Sequence, residues 1–350
     1  MNLLRPAPLL AAALVFTAAG AGALAGTAEE DWQAVVGLDA GPGGKPDSAE
    51  SAGTMVINHL AKQETALRNF LAAHADDSHA FEAQLRLARL LQIRADFEGD
   101  DKLRAESRRI LDNLEKTATP EQRPELEFSK LARTMRALKR GNLEQRDDLL
   151  KAARRFQADY PSDRRIAALL TEVATLFDTQ PKTKELLLED AQAAAKEPDL
   201  KARIADDLKR VRMIGQEVPL SFTSLQGQEI SVSALVGKPV FIIFFAQSSP
   251  PAMTALGKLQ QEVAQLPQGS IRVVAVNLDP KRETALDALK SRGLTWPTAW
   301  DGKSWESPLV RSLGINALPT VWLLDTKGRL QSLNGLDNAA HQARQIMRGK

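Results

Sequence analysis

Few side chains in this 350-residue chain could do covalent or metal chemistry. It contains no cysteine, which excludes structural disulfides, zinc–thiolate sites and thiol catalysis together. Its four histidines, His59, His74, His79 and His341, show no metal-ligand spacing. His74 and His79 flank an expected turn and read as solvated or partly packed side chains. The remaining candidates are the hydroxyls of Ser248 and Ser249, which directly precede Pro250 and Pro251. A serine at a helix start sits where backbone N–H groups and the helix dipole favour negative charge. That alone does not ionise an alcohol at neutral pH, and the nearest histidine in sequence is the distant His341. The serines are therefore not read as nucleophiles.

The elements that position these residues are well marked. Phe241–Phe245 is an unbroken apolar run with the length and aromatic content of a buried strand. Ala246–Ser249 forms a polar corner. Proline is tolerated in the first turn of a helix, where a backbone donor lacks a partner anyway. From Ala252 to Leu266, the residues Leu256, Leu259, Val263 and Leu266 recur at helical spacing. The local order is strand, tight corner, helix. A short hairpin over Leu220–Leu235, turning about Gly227, is expected before it. A strand over Ile271–Asn277 is expected after it, then a helix opened by Asp279-Pro280-Lys281-Arg282-Glu283. The last pair of strands should be Thr320–Asp325 and Arg329–Leu333, joined by a turn at Thr326-Lys327-Gly328.

Phe244-Phe245-Ala246-Gln247-Ser248-Ser249-Pro250-Pro251-Ala252 resembles the active-site corner of thioredoxin-fold reductases of the TlpA/ResA (redoxin) kind. Their pattern is Phe-Trp-Ala-x-Trp-Cys-Pro-Pro-Cys. A second landmark, Gly314-Ile315-Asn316-Ala317-Leu318-Pro319-Thr320, is similar to the segment whose proline is cis and faces that corner. The resemblance extends from Gly215 to Lys350. It implies an α/β thioredoxin-like domain with a central mixed sheet flanked by helices.

The chain departs from the family where the chemistry should be. Ser249 and Ala252 stand at the cysteine positions, and Ser248 at the tryptophan before them. Ala255 stands where a glutamate is common, Gly257 where a proline follows, and Ile243 at a strand position that is acidic in thioredoxin. A hydroxyl forms no disulfide and an alanine resolves none. No catalytic residue is therefore assigned, and the corner Ser249, Pro250, Pro251, Ala252 is read as degenerate. In the family the groove beside the cis-proline takes an extended peptide through backbone hydrogen bonds, which needs no thiol. That implies a protein or peptide partner at Ser248, Ser249, Leu318 and Pro319, with no cofactor and no metal. The alternative is a protein of the thiol–disulfide oxidoreductase class acting with a cysteine-bearing partner.

The rest of the chain sets the context. A length of 350 residues suggests two folded domains, and 43% hydrophobic residues are enough for real cores. A formal net charge of +2 gives no reason to expect nucleic acid. Residues 1–25 read as a secretory signal peptide with a cleavage site at Ala23-Leu24-Ala25, which implies export to the periplasm or beyond. Residues 26–53, Gly-, Ala- and Ser-rich, read as a flexible linker around a short apolar cluster at Trp32, Val35, Val36 and Leu38. Residues 54–214 carry helical stripes broken at Asp76-Asp77-Ser78, Gly99-Asp100, Thr119-Pro120, Gly141-Asn142, Pro161-Ser162 and Pro181. This predicts an all-α domain of about seven or eight helices in hairpins. A weak internal repeat aligns Phe70–Asp77 with Phe156–Asp163. The second copy resembles the inter-helix corner of tetratricopeptide repeats, whose stacked hairpins form a groove. An irregular bundle used for spacing or dimerisation is the other reading. Residues 215–350 are the thioredoxin-like domain.

Overall fold

The computed structural model describes residues 26–139 and 145–349. The expected signal peptide and the break at Gly141-Asn142 lie outside the described residues. The chain divides into two compact units, the first ending at Ser129 and the second beginning at Lys130. The division expected at 214/215 followed the change from helix to strand. Compactness instead groups the later helices with the sheet. Among the described residues, no helix is long and apolar enough to cross a membrane.

The first unit starts with α1 (Ala28–Gly37), whose N-terminus is closed by a Thr27/Glu30 capping box. The segment 26–53, expected to be a flexible linker, is corrected here: α1 is docked and α2 (Ala49–Ala73) already begins within it. The reason is Trp32, which is 5% exposed. Its ring packs on Phe70 at 5.3 Å and stacks on His79 at 4.7 Å, under the Arg86 guanidinium at 5.1 Å. An aromatic of that size offsets the ordering entropy of a short helix. α2 is followed by α3 (Ala80–Glu98), α4 (Asp101–Thr117) and α5 (Arg123–Lys139), within which the first unit ends. Leu67, Phe70, Leu87 and Leu91 lie in one core, and Leu85, Leu111, Leu114 and Leu126 in the next.

The second unit contains α6 (Arg146–Asp159), α7 (Ile166–Ala174), α8 (Pro181–Ala194) and α9 (Pro198–Arg212). The internal repeat is visible as one turn built twice. The backbone N–H of His74 closes α2 on the Phe70 carbonyl at 2.8 Å, and that of Tyr160 closes α6 on Phe156 at 2.9 Å. Asp77 then accepts the His79 N–H at 2.8 Å, as Asp163 accepts that of Arg165 at 2.8 Å. These contacts hold both carboxyls below their usual range, Asp77 chiefly through the His79 amide and Asp163 chiefly through the Arg165 side chain.

Beyond α9 come β1 (Ser221–Thr223) and β2 (Glu229–Ser231), a separate two-stranded antiparallel sheet. The main sheet comprises β3 (Val240–Phe245), β4 (Arg272–Asn277), β5 (Thr298–Ala299), β6 (Thr320–Leu324) and β7 (Leu330–Ser332), in the order β5-β4-β3-β6-β7. β3, β4 and β5 run parallel, while β6 and β7 pair antiparallel, so the sheet is mixed as expected. Side chains alternate across β3. Phe241, Ile243 and Phe245 face a core shared with α10 (Pro250–Ala264), α11 (Arg282–Lys290) and α13 (Ala339–Met347). Val240, Ile242 and Phe244 face the other core, which includes Val310 of α12 (Pro308–Ser312).

The chain from the end of α9 through β1 to the turn of the hairpin touches both borders of this sheet. Ile214 bridges Leu330 beside β7, and the Gly215 N–H donates to the Leu330 carbonyl at 2.7 Å. Ser224 bridges Ala299 beside β5, and the Leu225 N–H donates to the Thr298 carbonyl at 2.8 Å.

α9 is docked on the segment before Pro319. Arg210 donates to the Gly314 carbonyl and pairs with Asp207, and Lys209 Nζ reaches the Arg311 carbonyl at 3.1 Å. Burial pulls the Arg210 pKa down, against the opposing pull of Asp207 and Asp206.

Candidate functional site

The corner forms where the sequence places it. β3 is buried at every residue and delivers the chain to a turn in which the Ser249 N–H donates to the Ala246 carbonyl at 3.1 Å. Ser249 is the N-cap of α10, its hydroxyl accepting the Ala252 N–H at 3.4 Å, and Pro250 takes the first helical position. Gln247 and Ser248 are exposed, Ser249 is half-buried and Ala252 is fully buried.

The register of β3 on β6, with Phe244 opposite Thr320, brings this corner and Leu318–Pro319 to the same end of the sheet. The Leu318–Pro319 peptide is cis, as the motif implied. Pro319 is exposed and Leu318 half-buried. All four residues expected to meet a peptide, Ser248, Ser249, Leu318 and Pro319, thus lie at one end, with some surface open on each.

The corner holds no thiol, and the two positions where the family carries an acid are apolar. Ile243 and Ala255 are buried apolar side chains. The four histidines are engaged separately. His59 bonds the Leu38 carbonyl, His74 bonds Asp31, His79 bonds Asp77 and His341 bonds Gln345.

Sequence reasoning missed Asp279. It was expected to open α11, but that helix begins at Arg282 behind Lys281, and Asp279 turns inward instead. At 1% exposure its carboxylate accepts the Gln247 N–H at 2.7 Å, the Ser248 N–H at 3.4 Å and Asn277 Nδ2 at 2.8 Å. Its own N–H donates to Asn277 Oδ1 at 2.9 Å, and its carbonyl accepts Trp300 Nε1 at 2.7 Å. It fixes the backbone of the corner from below. The available signal was its place two residues past the end of β4, where a carboxylate stays buried only with partners.

Residues 214–333 match the AhpC/TSA family. The thiol-disulfide oxidoreductase ResA of Bacillus thuringiensis (strain Al Hakam) is 24% identical over 123 residues, covering 35% of this chain and 69% of the relative. The sporulation thiol-disulfide oxidoreductase A of Bacillus subtilis (strain 168) is 27% identical over 111 residues, covering 31% and 65% respectively. Among solved structures, a thiol-disulfide oxidoreductase from Bacteroides fragilis NCTC 9343 aligns with a TM-score of 0.32 at 21% identity, over 35% of this chain and 94% of that one. Residues 214–333 form a thioredoxin-like domain of the AhpC/TSA redoxin kind, with ResA-type relatives, in a chain that holds no cysteine.

Proposed function

We propose that this chain is a non-catalytic thioredoxin-fold protein of the cell envelope that holds an extended peptide or protein segment between Ser248–Ser249 and Leu318–Pro319. The observation that carries this is a corner kept in shape without its nucleophile. The Ser249 cap, Pro250 and Asp279 hold it, while no thiol is present anywhere in the chain. A corner kept in shape at the same end of the sheet as a cis-proline, with no reactive sulfur, supports holding a partner rather than turning one over.

Insulin reduction with dithiothreitol tests the chemical half of this proposal. The unmodified protein should give the uncatalysed rate, and activity above it would refute the proposal. The double variant Ser249→Cys, Ala252→Cys should form an internal disulfide, because the two positions lie one helical turn apart. The first thiol would gain from the helix amides. Turnover should stay slow, because Ile243 and Ala255 offer no proton relay. The binding half is tested by titrating the labelled full chain with carboxymethylated, unfolded ribonuclease A. Amide resonances of Ser248, Ser249 and Leu318 should shift, and unmoved resonances would rule the groove out. Location in the envelope rests on the Ala23-Leu24-Ala25 site. Intact-mass measurement of the fractionated protein should find a chain beginning at Gly26, and an intact Met1 in the cytoplasm would reject export.

A further inference from the structure

The loop that carries Leu318–Pro319 makes few polar contacts of its own. Among the described residues, the N–H groups of Asn316, Ala317 and Leu318 meet no acceptor. The Ala317 carbonyl accepts only from the nearby Thr320 hydroxyl, at 2.8 Å. Beside this loop, within the second unit, lies a cavity of about 410 Å³. Asn316, Ala317 and Pro319 line it from the loop, and Asp207, Arg210 and Val211 from α9. The loop is thus not packed against the helix along its whole length, and it has room to shift.

Its attachment to the helix lies just upstream. Arg210 donates to the Gly314 carbonyl, and Lys209 Nζ donates to the Arg311 carbonyl at 3.1 Å. A Cβ added to Gly314 would lie 2.9 Å from the Asp206 carbonyl oxygen, so the two backbones touch there. Lys209 is exposed, and water competes for its bond. Arg210 is half-buried and its guanidinium is oriented by Asp207, which makes it the firmer of the two tethers. Arg212 ties the same helix to Glu185 and Glu189 of α8. The chain entering the loop is therefore seated on the helices as well as on the sheet.

We infer that Arg210 is a positioning residue for the peptide groove: by holding Gly314 it restrains the residues from Ile315 to Leu318, so that a partner meets a loop already in place. The inference rests on the peptide-holding function proposed above and adds that α9 sets the affinity of the groove. A loop ordered before binding saves the conformational entropy that binding would otherwise cost. The coupling runs both ways, so a partner that fixes the loop also steadies α9.

The test uses the full chain, with carboxymethylated, unfolded ribonuclease A as the probe. Arg210→Met should bind it about 5–10-fold more weakly than the unmodified protein, the cost of ordering roughly one further residue. Arg210→Lys keeps a charged donor beside Asp207 and should recover part of that loss. In the unmodified protein, saturation with the probe should slow amide hydrogen exchange along Pro198–Arg212. A purely structural Arg210 would lower the urea midpoint of the methionine variant and leave the affinity of its folded form unchanged. That result overturns the inference, and so does a lysine variant that binds no better than the methionine one. If Arg210→Met folds poorly, the exchange measurement on the unmodified protein decides. Shifted Ser249 and Leu318 amides with unchanged exchange in α9 would refute the coupling and leave the groove standing. If the probe moves neither of those amides, groove and inference fall together.

Discussion

Asp279→Ala should destabilise the second unit by about 2–4 kcal/mol, because it removes the acceptor of three donors at once, one of them on the buried Asn277. The carboxylate is the acceptor for the N–H groups of Gln247 and Ser248 and for Asn277 Nδ2. Bonds to a charged acceptor are worth roughly 1.5–3 kcal/mol each, and a donor left buried without one costs about 1–3 kcal/mol. At 1% exposure the site gives water little access to compensate. Asp279→Asn separates the terms. It keeps one acceptor oxygen but turns an NH₂ toward other donors, so a smaller loss of about 1–3 kcal/mol is expected. Urea unfolding followed by tryptophan fluorescence reads both, as a lower midpoint at unchanged slope. A loss below about 1 kcal/mol in the alanine variant would show that the corner is held by something other than this carboxylate.

Gly314→Ala should cost about 2–4 kcal/mol and loosen α9 from the sheet. Gly314 has φ +67°, and an added Cβ would lie 2.9 Å from the Asp206 carbonyl oxygen and 3.2 Å from Lys209 Cδ. The left-handed conformation accounts for about 1–2 kcal/mol. The rest is overpacking against a helix backbone, which cannot swing aside as a side-chain end can. Gly293 is the control, with φ +62° and open space around its added Cβ. Gly293→Ala should therefore show the conformational cost alone. The difference between the two variants measures how tightly α9 is seated, and amide exchange along Pro198–Arg212 should accelerate only in the Gly314 variant. Equal losses in both would mean that the helix is not held there.

These two residues also show where the sequence stops being informative. β3, the corner, the start of α10 and Pro319 were legible because each is signalled within a few residues, by an apolar run, a proline pair or a turn. The repeated turn was legible for the same reason, since Phe70–Asp77 and Phe156–Asp163 close on themselves. Asp279 was not, because an Asp-Pro pair is a sound local signal for a helix start and its real partners, Gln247 and Ser248, lie far back in the chain. Nor was the docking of α1, where one tryptophan outweighed a linker-like composition. The two-residue β5 is too short to leave a pattern. The attachment of α9 depends on Arg210 reaching Gly314, a contact that no periodicity announces.

The stretch bordering the sheet has a consequence for self-association. An open strand edge is a template for adding another chain, and exposed edges are where β-proteins begin to aggregate. Here Ile214–Gly215 lies against Leu330 on one side and Ser224–Leu225 against Thr298–Ala299 on the other, so the segment leaving α9 and the hairpin turn each shield one flank. A chain trimmed to begin after Leu225 would keep every strand of the main sheet yet lose both shields. Such a fragment should pass from monomer to edge-joined oligomers at concentrations where the intact protein stays dispersed. The stretch from Ile214 to Leu225 thus acts as the sheet's guard against its own copies.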